Sequence, residues 1–168
     1  MKAAEDKCNE VLRHSPDFMQ AWFLKAKILF YTDRKKEAIK LLKKIKIKFP
    51  SFVDGKLFLA KALIETDQLE EANKLLYNLS QDNGNDYRVY RLYSQIAKKK
   101  KDLKRNLDYQ KKAEQCLEES AMVFLDLASV YRNFGLHEIS RSYLEKAEKL
   151  VANKEAKKVI LSCMEEHK

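Results

Sequence analysis

The sequence predicts an all-α protein made of repeated antiparallel helix pairs. Two observations carry that expectation: a composition almost empty of helix breakers and a 34-residue internal period. Its 168 residues include three glycines and two prolines, while Lys, Glu, Leu, Ala and Asp abound, a balance that favours helices. A step of 34 residues sets Met19, Val53, Tyr87 and Ala121 in register as unit starts, with no insertion or deletion between them. The eighth place of each unit is small (Ala26, Ala60, Ser94, Ala128), and the twentieth is small or compact (Ala38, Ala72, Asn106, Ser140). Large apolar groups recur in the fourth place, at Trp22, Tyr90 and Phe124, and in the eleventh, at Leu29, Leu63 and Tyr131. Antiparallel helices approach closely only where small side chains meet, with larger ones filling the space on either side.

In order, the register predicts helices over 3–14, 18–31, 35–48, 52–65, 69–82, 86–99, 103–116, 120–133, 137–150 and 154–166. Pro16, Pro50 and the QDNGND stretch at 81–86 punctuate them, as residues that cannot continue a helix or that favour turns. No linker or low-complexity segment marks off a second domain.

This pattern resembles the tetratricopeptide repeat, a 34-residue helix-turn-helix with a W…L-G…Y…A…F…A…P signature. The first unit carries it as Trp22, Ala26, Leu29, Ala38, Leu42, Ile45 and Pro50, and the fourth as Phe124, Leu127, Ala128, Tyr131, Gly135, Leu144 and Ala147. The second unit has Lys56 in the aromatic place, and Asn106 with Gln110 weakens the second helix of the third. Ahead of the first unit, AEDKCNEVLRHSP matches the second half of another, through Ala4, Cys8, Val11 and Pro16; after the fourth, KEAKKVILSCMEEHK reads as a capping helix. The resemblance implies a right-handed α-solenoid forming one domain over 1–168. It comprises a half repeat at 1–18, full repeats at 19–52, 53–86, 87–120 and 121–152, and a cap at 153–168. A start on a second helix leads us to expect a piece of a longer array, since terminal units carry caps.

The resemblance also places the second, fifth, ninth, twelfth and thirteenth positions of each first helix on a concave groove. Phe23, Lys27, Phe30 and Tyr31 stand there in the first unit, Leu57, Lys61 and Ile64 in the second, Arg88, Arg91, Gln95 and Lys98 in the third, and Met122, Leu125 and Arg132 in the fourth. With Gln20, Asp54, Glu65, Lys99, Ser129 and Asn133 included, this surface carries seven cations and two carboxylates. Phe23, Phe30, Leu57 and Ile64 are expected to form an exposed apolar strip, which isolated soluble surfaces avoid. Lys25, in the seventh place beside the half unit, is expected to be structural, laying its stem on the packing with its amine in water.

The net charge of +9 is concentrated in two blocks, +8 over 88–112 and +7 over 34–48. The KKKKDLKR run at 98–105 lies at a helix end, where cations suit the dipole. Catalysis finds no support. His14, His137 and His167 lack metal-ligand spacing, no HExxH, GxSxG or phosphate loop occurs, and Glu70-Glu71 and Glu118-Glu119 sit at helix starts. No metal or cofactor is therefore expected, and the protein is not expected to be an enzyme. Cys8, Cys116 and Cys163 are distant and odd in number, as free thiols of a reducing compartment would be. No apolar leader and no run of about 18 apolar residues is present, so the expected setting is cytoplasmic, with the lysine run as the one pointer to the nucleus.

The expected function is a protein-interaction scaffold that takes an acidic and apolar peptide or helix of a partner. The alternative is a basic module binding RNA or another polyanion, with Tyr31, Tyr87, Tyr90 and Tyr93 available for base stacking. Recognition of chaperone C-terminal tails is not expected, because the two-carboxylate clamp of that subfamily falls on Phe23, Lys27, Phe58, Arg88 and Leu92 in one frame and on Leu57, Lys61, Leu92, Met122 and Asp126 in the other.

Overall fold

In the computed structural model, residues 2–82, 86–151 and 158 are described. They form α1 (Lys2–His14), α2 (Met19–Tyr31), α3 (Lys35–Lys48), α4 (Val53–Glu65), α5 (Leu69–Asp82), α6 (Tyr87–Lys99), α7 (Leu103–Asn133) and α8 (His137–Leu150). The described residues contain no strand. The chain divides into two compact units, 1–109 and 110–168.

In the first unit, the two helices of each repeat differ in how much of their surface is covered. The first helices are apolar on several faces: α4 buries Gly55, Leu57, Leu59, Ala60, Ala62, Leu63 and Ile64. The second helices are amphipathic, α3 burying only Ala38, Ile39, Leu42 and Ile45 along one stripe of a lysine-rich helix. A helix that is apolar all round must be covered on more than one side, while a striped one keeps a wet face. Accordingly α4 packs against α3, α5 and α6. Ala26, Ala38, Ala60 and Ala72 are fully buried where helices cross, beside Leu42, Leu63 and Leu76. Each buried leucine of this kind contributes about 1.5–3 kcal/mol of transfer free energy.

The small places that depart from alanine are satisfied rather than merely tolerated. Asn106 Nδ2 donates to the Ser94 carbonyl at 3.1 Å, and Ser140 Oγ to the Ala128 carbonyl at 2.7 Å. In both repeats the twentieth place thus bonds the backbone of the eighth, binding the helix pair by a polar contact in place of a methyl.

The turns inside the repeats recur just as regularly. Asp33, Asp67, Lys101 and Gly135, spaced by 34, all have positive φ, at 62°, 62°, 57° and 74°. The next residue in each case, Arg34, Gln68, Asp102 or Leu136, donates its N–H to the carbonyl of Leu29, Leu63, Ala97 or Tyr131. This is the helix-ending pattern in which a left-handed residue lets the chain reach back to an otherwise unpaired carbonyl. Glycine adopts that conformation freely, whereas Asp and Lys adopt it at a cost.

One expectation is corrected. Helices at 103–116 and 120–133 are a single 31-residue helix, α7, and the boundary expected between 120 and 121 falls inside it. The cause is local: Pro16 and Pro50 interrupt the corresponding connections, but Leu117, Glu118, Glu119 and Ser120 include no breaker, and no Gly or Pro occurs from 103 to 133. Residues of good propensity continue a helix that nothing stops. The cap expected at 154–166 lies outside the described residues.

In the second unit, Ala121, Ala147 and Val151 form a small core, with Phe124, Leu125 and Leu150 packed on it. Tyr131 and Tyr143 stack at 5.4 Å.

Candidate functional site

Three successive first helices, α2, α4 and α6, line a cleft of about 320 Å³. Phe23 and Lys27 come from α2, Asp54, Leu57, Phe58 and Lys61 from α4, and Arg88, Arg91, Leu92 and Gln95 from α6. In repeat numbering these are the second, fifth, sixth and ninth places, one face of a helix at i, i+3, i+4 and i+7.

The floor is aromatic. Phe58 meets Phe23 edge to face at 5.6 Å and Phe30 at 5.1 Å, while Phe23 also meets Phe52 at 5.0 Å. Such edge-to-face contacts add about 0.5–1.5 kcal/mol beyond area burial, so they hold the floor rigid. Cations stand over these rings. Lys27 Nζ lies 4.3 Å from the Phe23 centroid, and Lys61 Nζ lies 5.7, 5.7 and 5.9 Å from Phe30, Tyr31 and Phe58. Each stem covers apolar surface while its amine remains at the rim.

The cations differ in their partners. The Arg88 guanidinium is shared by Asp86, at 2.7 Å, and Asp54, at 2.6 Å. Its bonds to Asp86 and then Asp54 raise its pKa above the usual arginine range, so it is always charged. Asp86 also caps α6 by accepting the Arg88 backbone N–H at 2.9 Å, which fixes that side chain at the mouth of the cleft. Lys27, Lys61 and Arg91 have no carboxylate partner among the described residues. They leave a positive rim above an apolar floor.

The structure brings together Phe23, Lys27, Leu57, Lys61, Arg88, Arg91 and Gln95 of the expected set. The exposed apolar strip is corrected: Phe30, Leu57 and Ile64 are buried in the core, Leu57 reaching the cleft with only its edge. The twelfth place turns inward because the next first helix lies over it, as Phe58 lies over Phe30. Tyr31 is exposed and flanks the cleft through Lys61. Lys98 is exposed on α6 outside the cleft. Met122, Leu125 and Arg132 belong to the second unit, with Leu125 against its core. Phe58 and Leu92, in the sixth place, were missed as site residues. The spacing between the second and ninth places could have found them, because the sixth lies between those two on one helical face.

Lys25 differs from expectation in one respect: its amine donates to Asn9 Oδ1 at 2.6 Å, tying α2 to α1. Several cations of the basic blocks are also paired with carboxylates of neighbouring helices or turns: Arg34 with Glu5, Lys35 with Glu65, Lys43 with Glu71, Lys48 with Asp17, Lys99 with Asp67 and Lys100 with Glu70. Cys8 and Cys116 are buried. The described residues hold no cluster able to bind a metal ion, and no helix among them is long and apolar enough to cross a membrane.

The tetratricopeptide repeat family model matches residues 36–96. No curated protein matches the chain. Among solved structures, MamA from Desulfovibrio magneticus RS-1, from residue 41 to its end, superposes with a TM-score of 0.61 at 16% identity, covering 89% of this chain and 84% of that one. The thermophilic TPR protein TTC0263 from Thermus thermophilus superposes with a TM-score of 0.60 at 16% identity, over 96% and 89% of the two chains. Yeast Tom70 gives 0.55 at 13% identity, covering 97% of this chain and 42% of its own. At such identities the likeness is one of fold. Residues 36–96 thus match the tetratricopeptide repeat, and the helical fold of the chain is similar to that of solved TPR proteins such as TTC0263.

Proposed function

We propose that the chain is a non-catalytic interaction scaffold whose α2–α4–α6 cleft holds a partner's peptide segment bearing carboxylates around a large apolar side chain. The observation that carries this is the unpaired rim of Lys27, Lys61 and Arg91 over the Phe23–Phe58 floor. An apolar anchor gains from leaving water and from ring contacts, and the rim cations orient the acidic neighbours. A cleft of about 320 Å³ suits one large side chain rather than a folded domain.

The polyanion alternative draws less support. Several cations of its basic blocks are paired within the fold, and Tyr93 is buried and stacked on Tyr109 at 5.0 Å. A base needs a free ring face to stack on.

The experiment is fluorescence anisotropy with a labelled peptide carrying one tryptophan or leucine between two glutamates, across a salt series. Phe58→Ala should weaken binding at every ionic strength. Lys61→Glu with Arg91→Glu should weaken it most at low salt, because exposed charge pairs are screened and apolar burial is not. Binding that ignores both changes would remove the cleft as the site. Tighter binding of single-stranded RNA, with affinity falling linearly in log salt, would favour the polyanion reading.

A further inference from the structure

In the first two repeats, the second helix packs antiparallel on the first helix of the repeat that follows. α3 lies on α4 and α5 on α6. Lys35 Nζ stands 3.3 Å from Glu65 and Lys100 Nζ 3.3 Å from Glu70 at the far end of each pair, while Gly55 lies close to Ile45 near the turn. The numbers of the paired residues in α3 and α4 are centred on Pro50, where the chain turns.

One step further along the register, the same pairing would set Leu103 beside Asn133, Lys104 beside Phe134 and Ala113 beside Val123, centred on residue 118. It cannot form within one chain, because 103–133 is a single helix whose ends stand about 45 Å apart at 1.5 Å per residue. Both faces are consequently bare. Leu103 is 81% exposed where its counterpart Leu69 is 9% exposed, and Leu107 is open where Ile39 is buried. On the other face Val123 and Val130 are exposed, whereas Val89 and Ile96 are buried.

We infer that a second copy of this chain covers these faces: the 103–116 stretch of one α7 docks on the 120–133 stretch of the other, and reciprocally, with the two helices antiparallel about a twofold axis beside residue 118. The contact continues between chains the packing of α3 on α4 and of α5 on α6, so each apolar face meets the type of surface that its counterparts already cover. An isologous pairing of this kind closes at two copies. Charge favours it as well. Residues 88–112 carry +8, and residues 113–150 hold seven carboxylates against four Lys or Arg, so each basic block meets the acidic segment of the other copy. A contact between chains stabilises by mass action; in dilute protein the copies separate and the faces stand open. No residue of either face lines the α2–α4–α6 cleft.

Sedimentation velocity over a concentration series of the full chain tests the pairing. A reversible monomer–dimer equilibrium is expected. Val123→Glu with Val130→Glu should weaken the dimer by about tenfold or more, and so should Leu103→Glu with Leu107→Glu, whereas Lys61→Glu with Arg91→Glu in the cleft should leave it unchanged. All four apolar residues are exposed in the single chain, so the helicity of the dilute variants by circular dichroism should match the parent. Leu107→Ser and Val130→Ser give the same comparison should either glutamate pair fail to fold. An equimolar mixture of the two weakened variants should restore dimer, because one of the two reciprocal contacts then keeps both of its apolar faces. A parent that stays monomeric at every concentration, a dimer indifferent to both pairs of substitutions, or a mixture no more dimeric than its components would overturn the assignment.

Discussion

The third and tenth places of the repeat are buried in three units and open in the fourth. Val89 is 1% exposed and Val123, one step later, 56%; Ile96 is 6% exposed and Val130 48%. Phe134, in the fourteenth place, is exposed as well. The side chains are equally apolar, so the difference lies in the neighbour. An added Cβ on Gly55, in the third place of the second unit, would lie 3.3 Å from Ile45 Cγ2 of α3, and α4 and α6 each pack on the helix before them. Val123 and Val130 stand on α7, which is continuous with the segment that precedes them. A stretch of helix cannot pack against the helix it extends. An apolar pattern therefore states which face can be buried, and the chain's bends decide whether it is.

The largest expected effect sharpens that contrast by truncation. Leu76→Ala, in the first unit's core, should cost about 2–5 kcal/mol, while Val130→Ala should cost less than about 0.5 kcal/mol, read from urea midpoints. Comparable losses at both sites would show Val130 to be buried after all. Ser120→Pro tests the cause. Inside one continuous helix it should cost about 3 kcal/mol or more; a variant as stable as the parent would show that the chain bends there, and the contrast between units would collapse. Overpacking comes next. Ala60→Leu, at a fully buried crossing, should destabilise by about 1–3 kcal/mol, and an unchanged midpoint would unseat the repeat register.

Smaller and opposite shifts are expected at the shared turn place. Gly135→Ala should destabilise and Lys101→Gly stabilise, each by about 1 kcal/mol, since both residues hold positive φ and only glycine does so without a Cβ penalty. The same sign at both positions would mean that the two turns are not equivalent. The least effect is electrostatic. The Arg34 guanidinium hydrogen-bonds Glu37 and holds its carboxyl below the usual carboxylate range. A depressed carboxylate stabilises the fold above its unfolded pKa, and the contribution fades as pH falls through the folded value. With both groups exposed it should be slight. Arg34→Gln should move the Glu37 titration upward by NMR, and an unmoved titration would discard the pair.

The helix starts and stops of α1 to α6 were legible within a residue or two, because prolines, turn residues and a 34-residue period mark them. The recurrent left-handed turn residue was legible only at Gly135. Asp33, Asp67 and Lys101 do not announce positive φ by their type, and the conformation is forced on them by the helix that must end there. The second, fifth and ninth places line the cleft, and their common face follows from helical spacing. The twelfth does not, since the next helix lies over Phe30, and its angle of approach is not written in either sequence segment alone.

By itself, then, the sequence determined the all-α class, the unit length and the small residues at helix crossings, because these follow from propensity and from a period that each unit repeats locally. The tertiary structure alone decided which apolar residues are floor, core or open surface. Those outcomes depend on what packs against a side chain from elsewhere in the chain. The continuity of 103–133 has a local cause instead, the absence of any residue able to stop a helix, which the 34-residue period masked.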